Sequence, residues 1–128
     1  MDMNEFFSKD YVYTIVGASA DQDKYGHRIF RTLLEADYKV YGVNPKGEEI
    51  LGQKVFKTLL EVIPKPEIVD FVTPPEITRK VLDEVKRLGI EKVWFQPGSY
   101  NDECLKFCDD NSIRYVKDFC LMKSVLNK

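Results

Sequence analysis

Few side chains in this sequence are of types that run acid-base or nucleophilic chemistry: one histidine, His27, and three cysteines, Cys104, Cys108 and Cys120. The common catalytic routes need a nucleophile beside a base, paired carboxylates or a metal shell, and the spacing assembles none of these. His27 falls one or two residues into a helical stretch, where partial exposure is the simpler reading. Cys104 and Cys108 share a helix face at i, i+4, a spacing that suits core packing better than a metal. Cys120 follows a β-rich run, and a reactive role there stays open. An odd cysteine count with no C-x-x-C pair argues against a disulfide framework and a structural zinc site. No catalytic and no metal-binding residue is assigned on these grounds.

Binding chemistry is easier to build. The stretch "YTIVGASADQDKYGHRIF", Tyr13 to Phe30, runs from a β-rich apolar segment through Gly17 and a polar loop into a helical pattern. Backbone amides at a glycine turn and a helix start are unpaired donors reinforced by the helix dipole, which suits phosphate. The G-x-G-x-x-G spacing of a tight pyrophosphate turn is absent. Lys24, Arg28 and Lys46 can add cationic contacts, although each read singly is an ordinary solvated charge. Asn44 bears on the choice of nucleotide. An NAD domain carries Asp or Glu about 20 residues beyond its glycines, for the ribose hydroxyls. Here that region reads Val43-Asn44-Pro45-Lys46, neutral and then basic, which disfavours NAD and tolerates a ribose phosphate.

These residues need a scaffold, and the chain supplies an α/β alternation. Strands are expected at "YVYTIVG", "YKVYGVNP", "EIVDFVTPP", "EKVWFQPGS" and "IRYVKDFCLM", with Trp94 in the core. Helices are expected over Tyr25–Ala36, in "KTLLEVIP", over Glu76–Leu88 ending at Gly89, and in "YNDECLKFCDDN"; a short amphipathic start covers Asp2 to Ser8. "KGEEILGQKVF" reads as a glycine-punctuated connection. The fold class is therefore a Rossmann-like, doubly wound, mainly parallel five-stranded sheet with helices on both faces. Ligands of such sheets sit outside the carboxyl ends of the strands. Those ends carry Gly17-Ala18-Ser19, Asn44-Pro45-Lys46, Thr73-Pro74-Pro75 and Gln96-Pro97-Gly98-Ser99; a carboxylate appears only at the fifth, Asp118.

Length and composition narrow the field further. One domain, residues 1–128, fits the 128-residue chain. A formal net charge of -2 gives no basic footprint for nucleic acid. No apolar run approaches the roughly 20 residues of a membrane helix, and "MDMNEFFSKD" is unlike a signal peptide. A cytoplasmic protein is expected.

Taken together, "IVGAS", "KYGHRIFRTLL", "YKVYGVNPKG", "ILGQKVFKTL", "IVDFVTPPE", "VWFQPG" and "VKDFC" resemble, in order, the small stand-alone CoA-binding protein family, from about Val12 to Met122. That family is similar to the N-terminal domain of the succinyl-CoA synthetase alpha subunit, without the domain that carries its phosphohistidine. The resemblance implies coenzyme A as cofactor. It places Gly17, Ala18, Ser19, Lys24, Tyr25 and Gly26 at the phosphate-bearing nucleotide end. Val43, Asn44, Pro45 and Lys46 would line the second strand's rim, with Lys46 the charge for a phosphate. Val72, Thr73 and Pro74 would meet adenosine or pantetheine, with Gln96, Pro97 and Gly98 further along. The chain departs from the family's glycines at Asp37-Tyr38 and Asn111-Ser112; Asn and Asp tolerate left-handed backbone, so the turns are expected to survive. The expected function is a module binding CoA or an acyl-CoA, alone, as a homo-oligomer or with a catalytic partner chain. The alternatives are an NAD(H)-sensing regulatory domain and a subunit of an acyl-CoA-utilising enzyme.

Overall fold

A computed structural model describes residues 3–126. Its centre is β1 (Val12–Val16), buried at every position, as a strand covered on both faces must be. β1 pairs with β2 (Lys39–Val43) on one side and β4 (Ile68–Phe71) on the other. β3 (Val55–Phe56) extends the sheet beyond β2, while β5 (Lys92–Phe95) and β6 (Arg114–Lys117) extend it beyond β4. The order is β3-β2-β1-β4-β5-β6 and every pairing is parallel. The sheet thus has six strands where the sequence suggests five. The sixth, β3, is two residues long in a segment read as a connection, and two residues carry no alternation to detect. The Rossmann-like α/β class is unchanged.

The chain builds outward from β1 to β3, then crosses back to start β4 on the other flank of β1. The carboxyl ends of β1 and β4 therefore flank the point where strand order reverses, the usual crevice of such sheets.

Helices cover both faces. α1 (Tyr25–Glu35) and α4 (Leu121–Leu126) pack on one, with Ile29, Phe30, Leu33, Leu121 and Val125 in a core shared with Tyr13, Ile15, Ile68 and Trp94. α2 (Pro75–Arg87) and α3 (Asp102–Asp110) close the other, where Leu82, Val85, Cys104 and Cys108 meet Val16, Val69, Phe71 and Phe95. α2 starts on a proline, which needs no amide partner there, and stops before Gly89 at φ +72. At the two departures from family glycines, Asp37 (φ 64) and, in place of the expected Asn111, Ser112 (φ 57) carry the left-handed backbone, so both turns form without glycine.

Three boundaries differ from the sequence reading. "KTLLEVIP" contains only a 3-10 turn, Leu59–Glu61. The final strand stops at Lys117, and left-handed Asp118 turns the chain into α4. The amphipathic start forms a 3-10 turn, Met3–Phe6, with residue 2 outside the described residues. It buries Phe6 edge-on against Trp94 at 6.1 Å between ring centroids, an arrangement aromatic pairs favour.

Candidate functional site: the rim of β1, β2 and β4

Two glycines let α1 begin directly on the end of β1. Gly17 has φ +101, and a Cβ there would sit 3.2 Å from Thr73 Cγ2 and 3.3 Å from the Val72 carbonyl carbon. At Gly26, in the first turn of α1, a Cβ would lie 2.1 Å from the Gly17 carbonyl oxygen. No side chain fits between those backbones, so helix and strand end touch only because residue 26 lacks one. Beneath them, Ala18 is buried against the face of Gly42, where a Cβ would come within 3.0 Å of Ala18 Cβ.

Three clefts meet on this floor. One, about 340 Å³, is lined by Gly17, Ser19, Lys24, Tyr25, Gly26 and Val72. A second, about 180 Å³ and largely apolar, runs between the strand ends and α2, walled by Val16, Val43, Asn44, Pro45, Leu59, Thr73, Ile77 and Val81. The third, about 300 Å³, lies over Ser19, Asn44, Pro45, Lys46 and Glu48. Gly17, Ser19, Asn44 and Pro45 each line two of the three, which join as one bent groove. A further hollow of about 240 Å³ at the opposite end of the sheet mixes Lys65, Glu67, Glu91 and Lys92. Its charges oppose one another, and Glu67 already accepts from the Val12 amide at 2.8 Å.

The groove suits an anion at the start of α1. Lys24 caps the helix without a side-chain bond, and no acid lies in the first turn. The first helical bonds run from the His27 and Arg28 amides to the Lys24 carbonyl, at 3.1 and 3.3 Å. The preceding amides, of Tyr25 and Gly26, are the ones a helix leaves without an internal partner, and the dipole there favours negative charge. Lys24 and Lys46 are exposed on its lining, while Arg28, exposed in the first turn of α1, lines none of the three clefts.

Asn44 locks the second strand's turn to the first. Its Nδ2 donates to the Ala18 carbonyl at 2.9 Å and to Glu48 Oε1 at 3.3 Å, while its Oδ1 accepts from the Lys46 and Gly47 amides at 2.7 and 3.2 Å. A carboxylate at position 44 would have no proton for the Ala18 carbonyl, and two bare oxygens would face each other. The neutral amide is a requirement of the fold as well as a feature of the rim.

Below the rim a polar chain descends into the sheet. Gln96 is buried; its Oε1 accepts from the Tyr25 hydroxyl at 3.2 Å and from the Leu121 amide at 3.3 Å, and its Nε2 donates to Asp70 Oδ1 at 2.6 Å. The Tyr25 hydroxyl also hydrogen-bonds the half-buried Cys120 thiol. Burial pushes the Tyr25 hydroxyl up, with the Cys120 contact adding to it. Asp70 is fully buried, and its other oxygen, Oδ2, has no partner among the described residues. Burial holds its carboxyl well above the ordinary carboxylate range, the Gln96 bond opposing only in part. His27, expected near the surface, is 3% exposed, because Gly26 draws α1 onto the strand end. Its Nδ1 lies 2.9 Å from the Ser19 carbonyl, which can only accept, so Nδ1 carries the proton and pins the loop from beneath; Nε2 has no partner. Burial pushes the Cys104 and Cys108 thiols up, that of Cys108 to about 12. Among the described residues, no three His, Cys, Asp or Glu side chains gather as a metal shell.

Of the residues singled out from the sequence, Gly17, Ser19, Lys24, Tyr25, Gly26, Val43, Asn44, Pro45, Lys46, Val72 and Thr73 line the groove. Ala18 lies beneath it. Pro74 caps α2, and Pro97 and Gly98 are exposed beyond β5; none of the three clefts reaches them. Gln96 turns inward. Sequence reasoning passed over Glu48, Lys57, Leu59, Ile77 and Val81, which the β3 return and α2 bring to the same floor. Recognising β3 would have found the first three, since its pairing folds residues 47–59 back over the end of β2.

A family model described as a CoA binding domain matches residues 11–125. The ADP-forming acetate–CoA ligase of Methanocaldococcus jannaschii is 35% identical over 77 residues, which is 60% of this chain and 11% of the ligase. The chain therefore spans only a small part of that relative's length. The Bacillus subtilis protein YneT is 24% identical over 120 residues, 94% of this chain and 89% of its own. Among solved structures, the cell-free ID.343 protein of Thermus thermophilus superposes with a TM-score of 0.87 at 31% identity, covering 99% of this chain and 98% of that one. No helix among the described residues is long and apolar enough to cross a membrane.

Proposed function

The chain belongs to the CoA-binding domain family, and from that premise we propose that it is a cytoplasmic module that binds coenzyme A or an acyl-CoA along the groove of β1, β2 and β4, as a binder rather than a catalyst. The observation that carries this reading is the pairing of an uncapped, acid-free start of α1 with the neutral Asn44 and basic Lys46 at the end of β2. An amide cradle takes the pyrophosphate, and Lys46 takes the phosphate on the ribose. The apolar cleft under Val43, Leu59, Ile77 and Val81 gives room to an adenine ring or a pantetheine arm. Gly17, Ser19, Lys24, Tyr25 and Gly26, over the buried Ala18, hold the nucleotide end, and Val72 and Thr73, with Pro74 behind them at the start of α2, face the middle of the ligand. Thioester formation of the kind named for the ligase relatives would fall to a partner chain.

Glu48 favours a competing ligand. Its carboxylate, beside Asn44 at the end of β2, is where a ribose diol could be held, so NAD and NADH belong in the same titration.

Calorimetry with CoA, acetyl-CoA, dephospho-CoA, NAD and NADH tests the reading. CoA or acetyl-CoA should bind more tightly than dephospho-CoA and than either nicotinamide nucleotide. Heat from NADH with none from CoA at millimolar concentration would reverse the assignment. Lys46→Ala should weaken CoA about threefold to tenfold, as expected for an exposed but charge-assisted phosphate contact. It should leave dephospho-CoA unchanged, and the wild-type advantage should shrink with added salt.

A further inference from the structure

The hydrogen bonds that set Gln96 run in one direction, and their direction follows from chemistry. The Leu121 amide can only donate, so the Gln96 atom facing it at 3.3 Å is the carbonyl oxygen, and the amide nitrogen must face Asp70. Asp70 Oδ1 then has to accept. Gln96 Oε1 also receives the Tyr25 hydroxyl from α1, so one side chain on the loop after β5 ties α1 to the start of α4, and Asp70 in β4 fixes that side chain. Tyr25 is the only member of the chain that also lines the 340 Å³ cleft.

We propose that Asp70 is a positioning residue for ligand binding: through Gln96 it sets where the Tyr25 ring stands at the wall of the cleft beside Gly17, Ser19, Lys24 and Gly26. This inference rests on the reading of the groove as the CoA site. Asp70 lines none of the three clefts of the groove. Its carboxyl is wholly within the sheet, partnered among the described residues by Gln96 alone, and it acts by denying Gln96 any other orientation. If Asp70 is replaced by an apolar side chain, Gln96 Nε2 is left buried and unpaired. The amide then rotates or leaves, and Tyr25 and the Leu121 amide lose their shared acceptor together.

Cys120 makes the placement of Tyr25 measurable without any ligand. Cys104 and Cys108 are fully buried, Cys120 is half-buried, and its thiol is engaged by the Tyr25 hydroxyl. Its alkylation rate therefore reports how firmly Tyr25 is held. The experiment compares wild type, Asp70→Asn, Asp70→Leu and Tyr25→Phe. Two quantities are read: acetyl-CoA affinity by calorimetry, a ligand with no free thiol, and iodoacetamide labelling of Cys120 in the unliganded protein by peptide mass spectrometry. Asp70→Asn keeps the accepting oxygen and should stay within about threefold of wild type in both, whereas Asp70→Leu should bind acetyl-CoA about tenfold more weakly and label about tenfold faster, the size expected for one lost buried hydrogen bond. Tyr25→Phe, which keeps the ring and removes the anchor near the protein surface, should show the same direction in both and stands in if Asp70→Leu does not fold. A folded Asp70→Leu or Tyr25→Phe with wild-type labelling would overturn the proposal. So would an Asp70→Asn variant as loose as Asp70→Leu. Failure of wild type to bind acetyl-CoA would sink the CoA assignment instead, since labelling in the unliganded protein would still follow Asp70.

Discussion

Gly26→Ala is expected to cost about 2–4 kcal/mol and to remove ligand binding, although it adds one methyl to a helix, where alanine is ordinarily favoured. The added Cβ would meet the Gly17 carbonyl oxygen at 2.1 Å. Both partners are backbone, so relief comes only from lifting α1 off the end of β1. That shift opens the floor of the groove and draws His27 away from the Ser19 carbonyl it holds at 2.9 Å. At this chain length the cost corresponds to a fall in Tm of roughly 7–15 °C. Gly52→Ala is the matched control. Gly52 has φ +78 with nothing within 4 Å of an added Cβ, so it should lose only about 1 kcal/mol, from backbone strain alone, and keep its ligand. Urea denaturation with calorimetry reads both. A Gly26→Ala protein within about 0.5 kcal/mol of wild type would mean that helix and strand separate freely, and the groove would lose its fixed floor.

The second large effect is in the pH dependence of stability. Asp70 is fully buried and its carboxyl is held well above the ordinary range by that burial. The folded state therefore keeps a proton that the unfolded chain releases near pH 4. Between that pH and the raised value, the native state binds more protons than the unfolded one, so stability falls as pH rises, by about 1.4 kcal/mol for each pH unit crossed. Below pH 4 the contribution is fully present; above the raised value the loss is complete and constant. The groups around it do not offset this. Gln96 is neutral, Tyr25 has its own hydroxyl pushed up, and Cys120 is reached only through Tyr25. Asp70→Asn cannot titrate, so its stability relative to wild type should climb with pH from 4 upward and then level. A difference that stays flat from pH 4 to 8 would mean that Asp70 is ionised in the folded protein throughout.

The parts of the fold that the sequence exposed are those with a repeating signal. β1 reads as a doubly buried strand from its near-continuous apolar run, broken only by Thr14, and α2 from Leu82 and Val85 between Pro75 and Gly89. β3 has too few residues for any period, and α4 follows a strand so closely that Asp118 alone marks the turn between them. The site divides in the same way. Fold topology brings the strand ends together whatever their side chains do, so Gly17, Asn44 and Thr73 were legible at one rim. The direction of a side chain is not carried by topology. Gln96 stands at a strand end like the others, yet it serves Asp70 and the Leu121 amide below. Asp70 itself read as one polar letter in "EIVDFVTPP". His27 reads as partly exposed, because the sequence does not show that Gly26 presses its helix onto the sheet.

Trp94 is the chain's one tryptophan. Its indole N–H donates to the Phe119 carbonyl at 2.8 Å, and Phe7 meets its ring edge-on at 5.5 Å between centroids. Phe119 directly precedes Cys120 and Leu121, the pair that faces Tyr25 and Gln96. The protein thereby contains its own optical gauge: a single indole, excited apart from the tyrosines at the red edge, sealed from water and bonded to the turn whose Cys120 meets Tyr25 at the groove wall. Any ligand that moves that turn will shift the wavelength at which the native protein fluoresces, with no label attached.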